Sequence, residues 1–182
     1  PLTPLDRVTR HVVFVHGLNG SFDKTWMSAG TPPECWPDWL NRSDGTTAIW
    51  GVSYGAAALK LQNGASMALP DRAMSLLPLM TSTPELATGD VILVGYSLGG
   101  LMIKYILRLA NERKGQNPAI GSFLRRVRRV AFIATPHLGS ELAPKARVLK
   151  AFLREPVFDL PRNDPNLRSL NDWYRVYCDG SP

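Results

Sequence analysis

The stretch VILVGYSLGGLMIKYILRLA, residues 91–110, decides how the rest of the chain is read. Residues 91–95 are uncharged, β-branched and of the right length for a buried parallel strand, and residues 101–110 take up helical spacing. Between them stands Gly95-Tyr96-Ser97-Leu98-Gly99. A serine set where a strand turns sharply into a helix is held in strained backbone angles, and the positions two residues to either side have no space for a β-carbon. The pattern predicts that Gly95 and Gly99 permit the turn and that the Ser97 hydroxyl stands above the sheet edge. The unpaired N–H groups and positive dipole end of the new helix then face the same spot. Such a place suits a nucleophile. The five-residue pattern alone is a weak signal, equally a glycine-rich turn with an incidental serine; the strand before it and the helix after it make it a strong one.

The chain of 182 residues fits one domain, residues 1–182, large enough to bury about 70% of its unfolded surface. With 45% hydrophobic and 20% charged residues it has an ordinary globular composition. Lys104 and Arg108 interrupt the most apolar helix before it reaches the length of a membrane span. The opening PLTPLDRVTR has neither the apolar core nor the cleavage pattern of a secretory signal. The chain begins without Met and its pattern has no natural stop, so it is expected to be an excerpt of something longer. Cys35 and Cys178 show neither metal-ligand spacing nor a disulfide framework, which fits a reduced, intracellular compartment.

The net charge of +6 is densest at Arg125, Arg126, Arg128 and Arg129. Four arginines suit anionic lipid headgroups, and a peripheral membrane contact is one reading. A solvated edge just before a strand is the preferred one. No aromatic stacking pattern accompanies the run, so no nucleic-acid partner is expected. Arg113 and Lys114 are expected to complement a helix C-terminus.

Taken in order, a strand is predicted over residues 11–15, running into His16-Gly17-Leu18-Asn19-Gly20. Residues 21–41 read as loop-rich, with Phe22, Trp26, Trp36 and Trp39, and a short helix over 36–41 admits Pro37 in its first turn. A second strand is expected over 47–52, closed by Ser53-Tyr54-Gly55. A helical stripe over 65–80 carries Leu69, Ala73, Leu76, Leu77 and Met80, with Pro78 expected to kink or end it and a loop over 81–90. After the Ser97 helix come a polar loop over 111–122, a fourth strand over 130–134 and the loop Thr135-Pro136-His137-Leu138-Gly139-Ser140. Prolines then break a helical pattern, and a last helix is expected over 166–177.

Alternating strands and helices predict an α/β fold, a parallel sheet with right-handed crossovers and helices on both faces. Ligands of such sheets bind beyond the carboxyl ends of the strands. The loops after Val15, Gly95 and Ala134 all fall there.

At this point the residues resemble the α/β-hydrolase fold, in its lipase and esterase branch. VFVHGLNG is similar to that family's oxyanion strand and loop, VGYSLGG to its nucleophile elbow, and ATPHLGS to a loop common in lipase-like members. Within the branch the chain most resembles lipase-like domains of the serine-active-site-containing and inositol-deacylase-like families. The resemblance implies that the strands are the third to sixth of the family fold, side by side in the order fourth, third, fifth, sixth. It also implies that Ser97 is the nucleophile, that the backbone N–H groups of Leu18 and Leu98 form an oxyanion hole, and that Gly17 and Gly20 leave room for close approach. No metal or cofactor is implied.

His16 precedes the oxyanion glycine and is expected to hold that loop through a ring hydrogen bond, and His137 with Thr135 to brace the pocket wall. Neither is the expected base, since the family order is Ser, acid, then His near the C-terminal end of the sheet. His11 points away from the active edge. Asp159, Asp164 and Asp172 follow no strand, so the acid and base are expected outside this chain, in strands beyond it. The leading expectation is a serine hydrolase that cleaves a carboxylic, lipid-like ester through an acyl-enzyme, with residues 142–160 as a lid or a plain packed helix pair. An acyltransferase on the same scaffold is the second reading. A catalytically silent binding module of a larger signalling protein is the third.

Overall fold

The computed structural model describes residues 7–17, 20–31, 34–54, 69–137 and 165–180, with backbone alone for 41–44. Two compact units divide the chain, Pro1–Thr135 and Pro136–Pro182.

In the first unit, β1 (Arg10–Val15), β2 (Thr47–Val52), β3 (Asp90–Tyr96) and β4 (Val127–Ile133) form one sheet in the order β2-β1-β3-β4. Every pairing is parallel, with Phe14 beside Gly51 on one side and Val94 on the other. This is the strand order implied by the resemblance. Residues Val12 to Val15 are all buried, as expected of a strand covered on both faces.

Five helices of this unit are α1 (Phe22–Trp26), α2 (Pro37–Asp44), α3 (Leu69–Ser82), α4 (Leu98–Arg113) and α5 (Pro118–Arg126). The chain steps one way from β1 to β2 and the other way from β2 to β3 and from β3 to β4. Right-handed crossovers therefore set α1 and α2 against one face, and α3 and α4 against the other. The first face buries an aromatic cluster: Val12, Phe14, Trp26 and Val94, with Phe22, Trp36, Ile49 and Ile92 packed around them. The second is aliphatic, α4 burying Leu101, Ile103, Ile106 and Leu107, and α3 burying Ala73, Leu76, Leu77 and Met80.

Several boundaries correct the sequence expectations. The polar loop over 111–122 is instead the end of α4 followed by α5. Asn117 caps α5, its side chain accepting from the Ala119 N–H at 2.9 Å, and Pro118 follows in the first turn. That pair was the overlooked signal. Within the stretch read as loop-rich, α1 forms with Ser21 capping it through the Lys24 N–H at 3.3 Å. Pro78 does not end α3, which runs on to Ser82. Its last carbonyls find hydroxyl donors, Thr81 to Leu77 at 3.0 Å and Thr83 to Leu79 at 2.6 Å. The arginine run precedes no strand as a block: Arg125 and Arg126 end α5, and Arg128 and Arg129 lie on β4. Ala134 has left β4, at φ 50°.

In the second unit α6 (Pro165–Asp179) buries Leu167 and Leu170 and stacks Trp173 on Tyr177, ring centres 5.0 Å apart. The segment 142–160 expected as a lid, Asp159, Asp164 and the start of the α3 stripe at 65–68 lie outside the described residues. No helix among the described residues is long and apolar enough to cross a membrane.

Candidate active site

Ser97 occupies the single residue between the end of β3 and the start of α4, at φ 51° and ψ −122°. A serine at a helix N-cap ordinarily has extended angles and accepts from the first turn. Here the positive φ turns the side chain away and no cap bond forms. The backbone is nevertheless tied down: the Ser97 N–H donates to the Ile133 carbonyl of β4 at 2.8 Å, and the Ser97 carbonyl accepts from Gly100 at 3.1 Å.

The glycines explain why this turn exists. A β-carbon on Gly95 would lie 2.5 Å from the Gly100 Cα, and one on Gly99 would run into the carbonyl oxygens of Val15 and His16. The first turn of α4 is thus seated directly on the end of β1. That contact brings the next loop to Ser97, since a β-carbon on Gly17 would lie 3.0 Å from the Ser97 Cβ and 3.5 Å from its Oγ. Gly20 is as confined, 2.8 Å from the Thr25 Oγ1 by the same measure. Gly100, which sequence reasoning passed over, faces the Thr135 side chain and Phe132.

Leu98 is the first residue of α4, so its N–H has no acceptor within the helix. Leu18 and Asn19 lie outside the described residues, as do Leu138, Gly139 and Ser140.

His16 is buried, its Nδ1 2.8 Å from the Gly17 carbonyl oxygen. Because a carbonyl only accepts, Nδ1 carries the proton. Burial holds the His16 pKa below the usual histidine value, the Gly17 bond opposing it. The expected ring hydrogen bond is therefore present. His11 sits at the opposite end of β1, where its Nδ1 accepts from the Trp50 indole at 3.0 Å. Burial lowers its pKa, a bond to Thr88 opposes, and the Arg126 charge lowers it further. His137 belongs to the second unit, as does the exposed Asp172 on α6.

Two aromatic residues border the turn without having been singled out as site residues. Tyr96, partly exposed beside Ser97, meets Trp26 edge-on with ring centres 6.0 Å apart. Tyr54, just beyond β2, stacks on His16. Its position after a strand end in the same sheet was the available signal. Among the described residues no group of three His, Cys, Asp or Glu is placed to hold a metal ion.

A parallel sheet crossed on both faces by helices, with a serine at a sharp strand-to-helix turn on its carboxyl edge, is the α/β-hydrolase fold. Solved structures agree: a Bacillus licheniformis lipase in mature form superposes with a TM-score of 0.56 at 23% identity, over 94% of this chain and 60% of that one. The RedJ thioesterase of the Streptomyces coelicolor prodiginine pathway superposes at 0.54 and 17% identity, over 96% and 57%. Residues 7–153 match the family described as "Putative serine esterase (DUF676)", and the chain belongs to that family. It is also similar to the SERAC1 proteins of Bos taurus and Homo sapiens, each 27% identical over 180 residues. The match covers 88% of this chain and 27% of each relative, so the chain spans about a quarter of their length.

Proposed function

We propose that this chain carries the nucleophile and oxyanion hole of a serine esterase acting on carboxylic, lipid-like esters. Ser97 Oγ attacks the ester carbonyl carbon, the carbonyl π pair moves onto oxygen, and collapse of the tetrahedral intermediate expels the alcohol and leaves an acyl-enzyme. Water then releases the acid by the same steps. The N–H groups of Leu98 and Leu18 receive the developing oxyanion, and two such preorganised donors stabilise it by several kcal/mol. His16, Gly17, Gly95 and Gly99 shape the turn and loop. The proton leaving Ser97 passes to a general base, which returns it to the oxygen of the departing alcohol. His11 and His16 are both buried and already engaged in hydrogen bonds through Nδ1, and neither is assigned that role.

The observation that carries this reading is the pairing of strain with proximity. Ser97 holds a positive φ while Gly17 comes up against its Cβ, an arrangement with no advantage for packing alone. The test is labelling by a fluorophosphonate probe of the intact protein that contains this chain, beside Ser97→Ala. Labelling at Ser97 and its loss in the variant are expected. A protein unlabelled at Ser97 would be a silent module, and the enzymatic reading would fall. Esters of graded acyl length then define the substrate, and product analysis with an added alcohol separates hydrolysis from acyl transfer.

A further inference from the structure

The loop after β1 is fastened from the far side of the sheet edge. Tyr54, two residues beyond β2, lays its ring parallel to His16, with ring centres 4.4 Å apart and planes within 1°. Its hydroxyl donates to the His16 carbonyl at 2.5 Å. The His16 ring in turn donates to the Gly17 carbonyl, and that same oxygen accepts the Gly20 N–H at 3.3 Å. One phenol therefore fixes the peptide from which a closed set of loop hydrogen bonds starts.

The place of that peptide matters. The His16 carbonyl lies between the Tyr54 hydroxyl and the backbone of Gly99, and the next residue, Gly17, lies against Ser97. A rotation of the 16–17 peptide would swing Gly17 relative to Ser97. The phenol is suited to a permanent donor role. Burial pushes its pKa up to about 12, the buried Arg72 of α3 opposing, so the proton stays in place across the neutral range.

We propose that Tyr54 is a positioning residue for acyl transfer at Ser97: it clamps the His16–Gly17 peptide against the first turn of α4 and so sets where the oxyanion loop stands. The proposal rests on the reading of Ser97 as nucleophile. A purely structural tyrosine would contribute to stability and leave the chemical step alone. A positioning tyrosine acts on the rate after binding, because a misplacement of about 1 Å can cost about a hundredfold when geometry is preorganised, and a smaller one correspondingly less.

The experiment uses the intact protein containing this chain as wild type, Tyr54→Phe, Tyr54→Leu and Ser97→Ala, with a short-chain p-nitrophenyl ester. Amide hydrogen exchange over residues 16–20 and thermal unfolding are read in parallel. Tyr54→Phe keeps the stack and removes only the hydroxyl. It is expected to lower kcat about tenfold with KM within about twofold, and to speed exchange at Gly20. Tyr54→Leu, losing the stack as well, is expected to lower kcat further. Unchanged kcat in Tyr54→Phe while Ser97 still labels would overturn the proposal, as would a fall in kcat matched by global unfolding at the assay temperature. An unlabelled wild-type Ser97 would overturn the nucleophile reading and with it the catalytic half of this one. The clamp itself would then be upheld by faster exchange in Tyr54→Phe and overturned by unchanged exchange.

Discussion

The two ends of the same four strands are built on different terms. At the amino end the left-handed backbone angles fall on glycine: Gly45 before β2 at φ 65° and Gly89 before β3 at φ 72°. At the carboxyl end they fall on Ser97 after β3 and Ala134 after β4, residues that carry a β-carbon. The amino end is otherwise stitched by ordinary polar bonds. Asp90 donates its N–H to Thr9 at 2.9 Å, Arg126 donates to the Thr88 carbonyl at 3.3 Å, and Arg128 pairs with Asp90 at 3.2 Å. A turn that serves structure alone most often takes glycine where φ is positive, because a β-carbon there costs about 1–2 kcal/mol. A serine kept at such an angle, with Gly95, Gly99 and Gly17 cleared away around it, is strain held in place by its surroundings.

The sharpest way to break this contrast is chemical. Under the proposed function, Ser97→Ala is expected to lower ester hydrolysis by at least about 10³-fold while shifting stability by less than about 1 kcal/mol, read by initial rates and denaturant midpoints on the same samples. Next in size is Gly99→Ala. Its new methyl would meet backbone carbonyls of β1, which cannot rotate aside, and a loss of about 3 kcal/mol or more is expected in urea unfolding. Gly89→Ala, which combines a positive φ with the nearby Thr9 carbonyl, is expected to cost about 2 kcal/mol. The converse exchange, Ser97→Gly, is expected to stabilise the fold by roughly 1 kcal/mol while abolishing labelling. Equal and opposite signs at the two ends would sharpen the comparison. A destabilised Ser97→Gly would show that the angle at Ser97 is not strained.

Smaller effects follow from charge. Burial lowers the pKa of both His11 and His16, so the unfolded chain binds more protons near its ordinary histidine value of 6.5. The stability they contribute is complete above that value and is lost as pH falls through their folded pKa values. Unfolding midpoints are expected to drop on acidification from pH 6.5, and His11→Gln and His16→Gln should each flatten that slope. Arg128→Ala is expected to change stability by no more than about 0.5 kcal/mol, because the pair with Asp90 is mostly solvent-exposed, its side chains 63% and 53% accessible.

Much of this was legible along the chain. The strands β1, β2 and β3 announced themselves as short β-branched runs, and the order β2-β1-β3-β4 followed from the resemblance carried by their loops. Helix α5 was misread because its polar residues conceal an apolar stripe of Ile120 and Phe123, although Asn117-Pro118 marks its start. The end of α3 differs for another reason: Pro78 removes only the N–H that the Met74 carbonyl would take and leaves the later ladder free to continue, and the hydroxyls of Thr81 and Thr83 bond to Leu77 and Leu79 in the last turns.

By itself the amino-acid order determined where the turn at Ser97 must lie and why glycine flanks it, since periodicity and the missing β-carbons are local properties written in neighbouring residues. Only the tertiary structure decided what surrounds that turn. The approach of Gly17 to Ser97, the seat of Gly99 on the end of β1 and the Tyr54 clamp on His16 join positions 38 to 84 residues apart in the chain. Such contacts are set by the register of parallel strands and the handedness of their crossovers, which bring together residues that no window along the sequence contains.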